Sequence, residues 1–438
     1  MDAVADGVLK VSGGAGLTGS LTVSGSKNAS LPVMAAALLT RSRVRLHNVP
    51  QVADTALMAE ILTALGVVVE REGGLICLAA ESVSGSVPEH LGRRMRASIV
   101  LLGAVLTRTG EARLPKPGGD QIGTRRVEQH IRGLRAMGAN IQESDSEITA
   151  RAPLGLHGAR VIFDLPTVTG TENIMLAAAL AEGRTEIFNA AREPHVQDLA
   201  LFLNAMGAQV RGAGTDEIVI DGVAEMHGCE HRVIPDYLEA GTYALAVAAA
   251  GGDLVLLDAP VRDLTQLLSK LDEAGVTVES DSSRIRIQHR RTSPLLPVDM
   301  STFVHPGFPT DLQAPYLALM TQAAGACVIS EYLFENRFQH VPELVRMGAA
   351  ISVSGRDAYV RGPSSLVGCE VDAPDIRSGA ALIIAALCAR GETVIHRAWH
   401  VDRGYEDMAG KLAGLGAVIA RGPETRPLPG LEGAFTYE

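Results

Sequence analysis

Six stretches decide how this chain folds: LTALGVVVE (62–70), LRAMGANIQ (134–142), LNAMGAQVR (203–211), LDEAGVTVE (271–279), LVRMGAAISV (344–353) and LAGLGAVIA (412–420). Each runs an apolar helix face into a glycine and then into a short β-rich segment. A glycine just past a helix end supplies the left-handed residue that stops the helix. The six glycines (Gly66, Gly138, Gly207, Gly275, Gly348 and Gly416) stand 72, 69, 68, 73 and 68 residues apart. Near-constant spacing marks an internal repeat, and six units of about 70 residues nearly fill the 438.

A second pattern lies between these marks: an Ala/Leu-rich helix, a glycine turn and a β-rich run. It reads LAAALAEGRTEIFNA (176–190), LAVAAAGGDLVLLDA (245–259), LALMTQAAGACVISEYL (317–333) and LIIAALCARGETVIHRA (382–398). LLGAVLTRTGEARL (101–114) is a fifth copy, and PVMAAALLTRSRVRLHN (32–48) a sixth without the glycine. Each unit therefore carries two helices. The Ala-rich ones are apolar nearly all round, which suits burial. The expected fold class is α/β, with two lobes of three units and a ligand cleft between them.

Composition narrows the functions. Apolar residues are 47% and charged residues 20%, an ordinary globular balance. Thirty-nine Lys and Arg against 50 Asp and Glu give a net charge of −11, which argues against a nucleic-acid surface or an anionic membrane partner. Five scattered cysteines without a C-x-x-C pair argue against a disulfide scaffold or a zinc ribbon. The N-terminal MDAVADGVLKV lacks the apolar core of a signal peptide, and the longest apolar runs are too short to span a bilayer. A cytoplasmic location is expected. Gly14 to Gly19 matches G-x-G-x-x-G, but a strand-like run follows it and no acidic residue stands where a dinucleotide site needs one, so it reads as a hairpin turn. Neither G-x-x-x-x-G-K-[ST], H-E-x-x-H nor G-x-S-x-G occurs.

Charge collects at turns that open the apolar helices. SGSKNASLP places Lys27 and Asn28 at such a turn, where a lysine opposes the helix dipole but suits an anion. RRMRASIVLLG carries Arg93, Arg94 and Arg96. PKPGGDQIGTRRVEQHIRGL is a glycine-flanked loop with Asp120 near its tip, followed by Arg125, Arg126 and His130. GFPTDLQAP places Asp311 at an expected N-cap, a position that accounts for it without any chemistry. FENRFQHVPEL carries Arg337 and His340, APDIRSGAALIIAAL Asp375 and Arg377, and HVDRGYEDM His400, Asp402, Arg403 and Tyr405. Singly, each fits a surface ion pair. Together, on facing lobes, they would line one cleft with cations for a substrate bearing phosphate and carboxylate.

In these segments the chain resembles the UDP-N-acetylglucosamine enolpyruvyl transferases (1-carboxyvinyltransferases). SGSKNASLP, MRASIVLLG, PGGDQIG, NAAREP, GFPTDLQA, FENRFQHVPEL and DRGYE stand in family order from about residue 8 to about residue 420. The resemblance implies an inside-out α/β barrel, with one lobe from 27–234 carrying a mobile loop at 115–126 and the other from 1–26 plus 235–438. It implies transfer of the enolpyruvyl group of phosphoenolpyruvate to the sugar 3-hydroxyl, with release of phosphate and without a cofactor or metal. By position, Lys27, Arg125 and Arg403 would hold phosphoenolpyruvate, with Arg96 nearby. Asn28 would touch the sugar. Asp311 would accept the hydroxyl proton, Asp375 would assist proton transfer, and Arg377 would position phosphoenolpyruvate. The run Arg125, Arg126, Val127, Glu128 and Gln129, with Thr167, Val168 and Thr169, would hold uridine and diphosphate. Leu333 and Glu335 would border the sugar.

Three departures from the family pattern stand out. Asp120 replaces the usual loop cysteine, Arg-Arg-Val-Glu-Gln replaces Arg-Pro-Val-Asp-Leu, and Pro-Thr-Val-Thr replaces Pro-Ser-Val-Gly. The last two leave a second acceptor in play, another nucleotide such as that of a relative in secondary metabolism. A silent nucleotide-sugar-binding paralogue is a third reading, opposed by the presence of the other charged catalytic positions. Asp120 also implies resistance to fosfomycin, an epoxide that alkylates the family's loop thiolate. A carboxylate is a far weaker nucleophile. Wild type is expected to keep its activity during incubation with the drug, and Asp120→Cys to lose it with time. A mass increase of the wild-type protein equal to the drug would contradict this.

Overall fold

Residues 160–221 show how one repeat folds. The strand Arg160–Ile162 leads into the helix Val168–Ala178, where the Thr167 hydroxyl caps the first turn by accepting the Gly170 N–H at 3.3 Å. The strand Arg184–Phe188 returns parallel to the first. A second helix, Pro194–Ala205, ends at Gly207, whose φ is +100°. The hairpin of Gln209–Arg211 and Glu217–Asp221 then packs antiparallel against Arg184–Phe188. All six marker glycines have φ between +85° and +104°, the left-handed region that costs a side-chain-bearing residue about 1–2 kcal/mol.

The computed structural model describes residues 7–423, so positions 1–6 and 424–438 of the expected second lobe lie outside the described residues. Among the described residues there are five four-stranded sheets and one of three strands. In the smaller sheet the missing strand is reduced to a parallel bridge between Ser86 and Arg113. Three sheets borrow strands from distant parts of the chain, one of them taking Gly7–Ser12 beside Glu392–His396. Leu17–Thr22 pairs parallel with Gly252–Leu257, and Glu230–Arg232 pairs parallel with Val44–His47. The chain therefore crosses between two groups of sheets twice, near residues 23–27 and 233–236. Gly25 bridges Pro235 there, and the Ser26 N–H donates to the Ile234 carbonyl at 2.7 Å.

Buried apolar residues fall into two clusters, one drawn from 29–233 and the other from 9–23 and 237–417. At the centre of the second, Tyr237–Ala250, Gln313–Met320 and Ile376–Cys388 pack on one another. In the first, Leu101–Thr109 packs on both Val168–Ala178 and Lys27–Ala36, and Pro194–Ala205 packs on the last two. Helices lie inside with sheets around them, the inside-out α/β arrangement. Close approach is allowed by small residues: a Cβ on Gly103 would stand 2.3 Å from the Asn173 carbonyl. Every residue of Tyr237–Ala250 and Ile376–Cys388 is buried, and each Leu or Ile so placed contributes about 1.5–3 kcal/mol. No helix among the described residues is long and apolar enough to cross a membrane.

The hairpin expected at Gly14 to Gly19 is not formed. Gly7–Ser12 lies between Glu392–His396 and Val418–Pro423, whereas Leu17–Thr22 joins another sheet. The turn passes from one sheet to the next, because each strand is paired with a distant part of the chain.

The glycine marks give a stability prediction. A Cβ on Gly138 would meet only the His157 ring, at 3.4 Å, so Gly138→Ala isolates the backbone term. It should destabilise by about 1–2 kcal/mol in urea unfolding, and Gly138→Asn by less. Equal stability of the alanine variant would contradict the left-handed assignment.

Candidate active site

The buried helices of both clusters start at one cavity of about 240 Å³. Lys27 is the first residue of Lys27–Ala36, whose N-terminus Ser26 caps by accepting the Ala29 N–H at 3.2 Å. The Lys27 ammonium lies 3.4 Å from the Asp54 carboxylate, and the other oxygen of Asp54 takes the Arg403 guanidinium at 3.0 Å. Arg403 also donates to Asp120 at 2.5 Å. Lys27, Asp54 and Asp120 come from the first half of the chain and Arg403 from its last unit. Lys27 and Arg403 are each 12% exposed, so the four charges sit largely out of solvent.

A second ionic group surrounds Asp311. One of its oxygens accepts from Arg337 at 2.8 Å, the other from Arg377 at 3.1 Å. Burial raises its proton affinity, but Arg377, Arg337 and Lys27 together outweigh burial and hold the carboxyl far below the usual range. The N-cap role expected of Asp311 from the sequence is not formed. Asp311 sits in the turn Thr310–Leu312, which has no side-chain cap, and its acceptors are spent on arginines. Asp375 is the cap residue: it accepts from the N–H groups of Arg377 and Ser378 at 2.8 and 2.9 Å and from the Ser378 hydroxyl at 2.6 Å.

The loop bearing Asp120 is clasped across the cleft. Glu335 accepts from the Thr124 N–H and hydroxyl at 2.8 and 2.9 Å. The Asn336 side chain donates to the Gln121 carbonyl at 2.8 Å, and its N–H to that of Ile122 at 3.1 Å. The clasp holds Arg125 at a φ of +41° with its side chain in the cavity and its guanidinium 6.0 Å from the Phe334 ring. Strain of this kind is retained at ligand clamps. Burial lowers the Arg125 pKa, and lowers that of Arg96 to about 10.

Most of the residues expected at the site meet in this cavity: Lys27, Asn28, Arg96, Asp120, Arg125, Val168, Thr169, Asp311, Leu333, Asp375, Arg377 and Arg403 line it. Others do not. Glu335 forms the clasp instead of bordering the cavity. Arg126 and Glu128 face solvent 3.9 Å apart, and Val127 packs against the first cluster. The Gln129 side chain is taken by Asp164 and Leu165 backbone, and Thr167 by its helix cap. Arg93 and Arg94 make surface pairs with Glu89 and Glu60. His130 is buried on Asn173 and Thr169, with its pKa lowered to about 3 chiefly by burial.

Sequence reasoning missed several lining residues. Asp54, in the first turn of the helix Ala53–Ala64, is one of them, and an acid at that place has an ordinary structural explanation. Glu172, Glu193, His195 and Tyr237 also line the cavity. Burial, then Glu193, raises the Glu172 carboxyl well above the usual range. Burial lowers His195 to about 4.

Cations from both clusters thus surround carboxylates in one cleft, an arrangement suited to small anionic ligands. The model of the EPSP synthase (3-phosphoshikimate 1-carboxyvinyltransferase) family matches residues 11–412. The chain belongs to this carboxyvinyl transferase family, on the branch of the UDP-N-acetylglucosamine 1-carboxyvinyltransferases. It is 49% identical over 415 residues to the protein of that name from Sorangium cellulosum, covering 94% of this chain and 98% of the relative. The Solibacter usitatus protein of the same name is 50% identical over 412 residues, with the same coverage. Among solved structures, the enolpyruvyl transferase NikO from Streptomyces tendae superposes with a TM-score of 0.85 at 25% identity, covering 96% of this chain and 99% of NikO. EPSP synthase from Acinetobacter baumannii shares the fold with a TM-score of 0.74 at 19% identity, covering 95% and 100%.

Glu172 yields a pH prediction. Its folded-state pKa lies above the unfolded value, so the folded protein binds more protons and stability falls as pH rises past about 4.5. Glu172→Gln should therefore gain thermal stability over wild type at pH 7 and lose that advantage toward pH 4.5. A difference independent of pH would contradict the assignment.

Proposed function

We propose that the protein transfers the enolpyruvyl group of phosphoenolpyruvate to the 3-hydroxyl of UDP-N-acetylglucosamine and releases phosphate, the first committed step of peptidoglycan synthesis. The observation that carries this reading is the convergence of Lys27, Arg125 and Arg403 on one cavity with Asp120 and Asp311. Relatives at 47–50% identity over nearly the whole chain support it. The two apolar clusters act as lobes, 27–234 and, among the described residues, 7–26 plus 235–423, that close on the substrates and exclude water.

In this reading the phosphate and carboxylate of phosphoenolpyruvate take the three cations, with Arg96 near. The incoming phosphate displaces Asp120 from Arg403, and the proton that the phosphate brings passes through that carboxyl to C3. Positive charge then builds at C2, where the sugar hydroxyl oxygen bonds. Asp311 accepts the hydroxyl proton. A weakly basic carboxylate suffices, because the hydroxyl becomes strongly acidic as its oxygen bonds to the cationic carbon. Arg337 and Arg377 keep Asp311 ionised and aimed. Asp375, through its cap, fixes the backbone that carries Arg377. In the second step C3 returns its proton through Asp120 and Asp311 releases its own, both to the departing phosphate, as the C2–O bond to phosphate breaks and the vinyl ether forms. No cofactor is needed.

A second acceptor, another uridine nucleotide, is favoured by one observation: Arg126, Glu128 and Gln129 lie outside the cavity lining. Phosphate release with phosphoenolpyruvate and a panel of acceptors tests both readings. Activity with UDP-N-acetylglucosamine is expected; activity with a different nucleotide alone would move the assignment to the second reading. Asp311→Asn should bind both substrates and lose turnover by roughly 10²–10⁴-fold. A loss under about tenfold would place the base elsewhere.

A further inference from the structure

Glu331 is 1% exposed, and its carboxylate has no part in the reaction described above. One of its oxygens, Oε1, accepts from the Thr302 hydroxyl at 2.9 Å and from the N–H groups of Leu333 and Phe334 at 2.8 and 3.1 Å. The other, Oε2, accepts from the Thr310 hydroxyl at 2.8 Å. All four donors are neutral. Burying an anion on neutral donors sacrifices more hydration than burying an amide or an apolar side chain. A carboxylate, however, has two oxygens with about four acceptor sites, enough to tie donors from separate segments to one point.

Two of the segments that meet there carry the site. Thr310 stands beside Asp311 in the turn Thr310–Leu312. Leu333 and Phe334 line the cavity. The same run of chain continues through Glu335 and Asn336, which clasp the Asp120 loop, to Arg337, which donates to Asp311 at 2.8 Å. The run 331–337 therefore grips the Asp311 turn at both ends, by Glu331 through Thr310 and by Arg337 directly, and grips the loop from its middle. Phe334 stands between, its ring 5.7 Å from the Arg337 guanidinium and 6.0 Å from that of Arg125. Glu331 is itself anchored, because its N–H donates to the Arg356 carbonyl at 2.8 Å. Arg337 holds Asp311 only at the tip of the side chain, whereas the Thr310 contact holds the backbone from which that side chain extends.

We propose that Glu331 is a positioning residue for Asp311: through Thr310 it fixes the turn from which Asp311 reaches the acceptor hydroxyl, and it ties that turn to the clasp on the Asp120 loop. The proposal rests on the role of Asp311 in the reaction given above. Misplacing a reacting group by about 1 Å can lower a rate on the order of 10²-fold. An interaction that matters only for the aim of the base is felt in the transition state, so its loss lowers kcat and leaves KM alone.

The test is steady-state phosphate release by the full chain with phosphoenolpyruvate and UDP-N-acetylglucosamine. Thr310→Val keeps the shape of the side chain and removes the donor. Its kcat should fall by about 10–100-fold with both KM values unchanged, and Thr310→Ser, which keeps the hydroxyl, should recover most of the loss. Glu331→Ala should lose at least as much, and adding Thr310→Val to it should cost little more, because both remove one contact. Near-UV circular dichroism checks that each variant keeps the fold; where Glu331→Ala does not, the valine and serine variants decide. A wild-type kcat in Thr310→Val overturns the proposal, as does a raised KM with kcat unchanged, or losses that multiply in the combined variant. An active wild type with an unaffected Thr310→Val refutes the positioning role alone, whereas a wild type inactive with every nucleotide acceptor refutes the reaction and the role of Asp311 with it.

Discussion

Lys27 and Arg403 come from opposite ends of the chain, and Asp54 stands between them. Its two oxygens, 3.4 Å from the ammonium and 3.0 Å from the guanidinium, offset a repulsion that would otherwise push the apolar clusters apart. Pairs this far from solvent lose several kcal/mol of hydration per ion, and removing one partner typically costs about 3–5 kcal/mol. Asp120 adds a second counter-charge on Arg403 from the loop clasped across the cleft. Carboxylates thus hold the site together where the proposed substrate would bring phosphate and carboxylate groups. That is an exchange of anions, and it explains why a protein with net charge −11 maintains a cationic pocket.

The repeat makes the exchange possible. Each unit runs a strand into a buried helix, so helix N-termini from both clusters open on the same cavity, with their unpaired N–H groups and positive dipole ends. Side chains modify those ends differently. Asp236 and Asp375 cap theirs and neutralise them, whereas Lys27 adds charge to its own. Asp311 is left between Arg337 and Arg377, ionised and oriented. The two chain crossings near residues 25 and 235 place Lys27 in contact with Asp236, because its N–H donates to that carboxylate at 3.2 Å. Movement between the clusters is therefore felt directly at the site.

Much of this was legible in the sequence because it is local. A left-handed residue after a helix demands glycine, so six glycines announced six units. Charge at the start of an apolar helix is locally unfavourable, so Lys27, Arg96 and Arg377 stood out. Long-range relations were not legible. Nothing local says that Leu17–Thr22 pairs with Gly252–Leu257, and Gly14 to Gly19 was misread as a hairpin for that reason. Asp311 resembled a cap because its partners, Arg337 and Arg377, lie 26 and 66 residues away. Asp54 was hidden because an acid in a first turn has an ordinary explanation. Glu335 was expected in the cavity, and only the fold shows it spent on Thr124.

The central claim is that Lys27 and Arg403, one from each cluster, hold a single substrate anion. A double-mutant cycle on phosphoenolpyruvate affinity tests it most directly, using Lys27→Gln, Arg403→Gln and the combined variant in calorimetric titrations with the acceptor present. If both cations grip one anion through the network that includes Asp54, the two losses will be strongly non-additive, with a coupling above about 1 kcal/mol. Losses that add within roughly 0.3–0.5 kcal/mol would show that the two side chains act at separate places and would contradict the account.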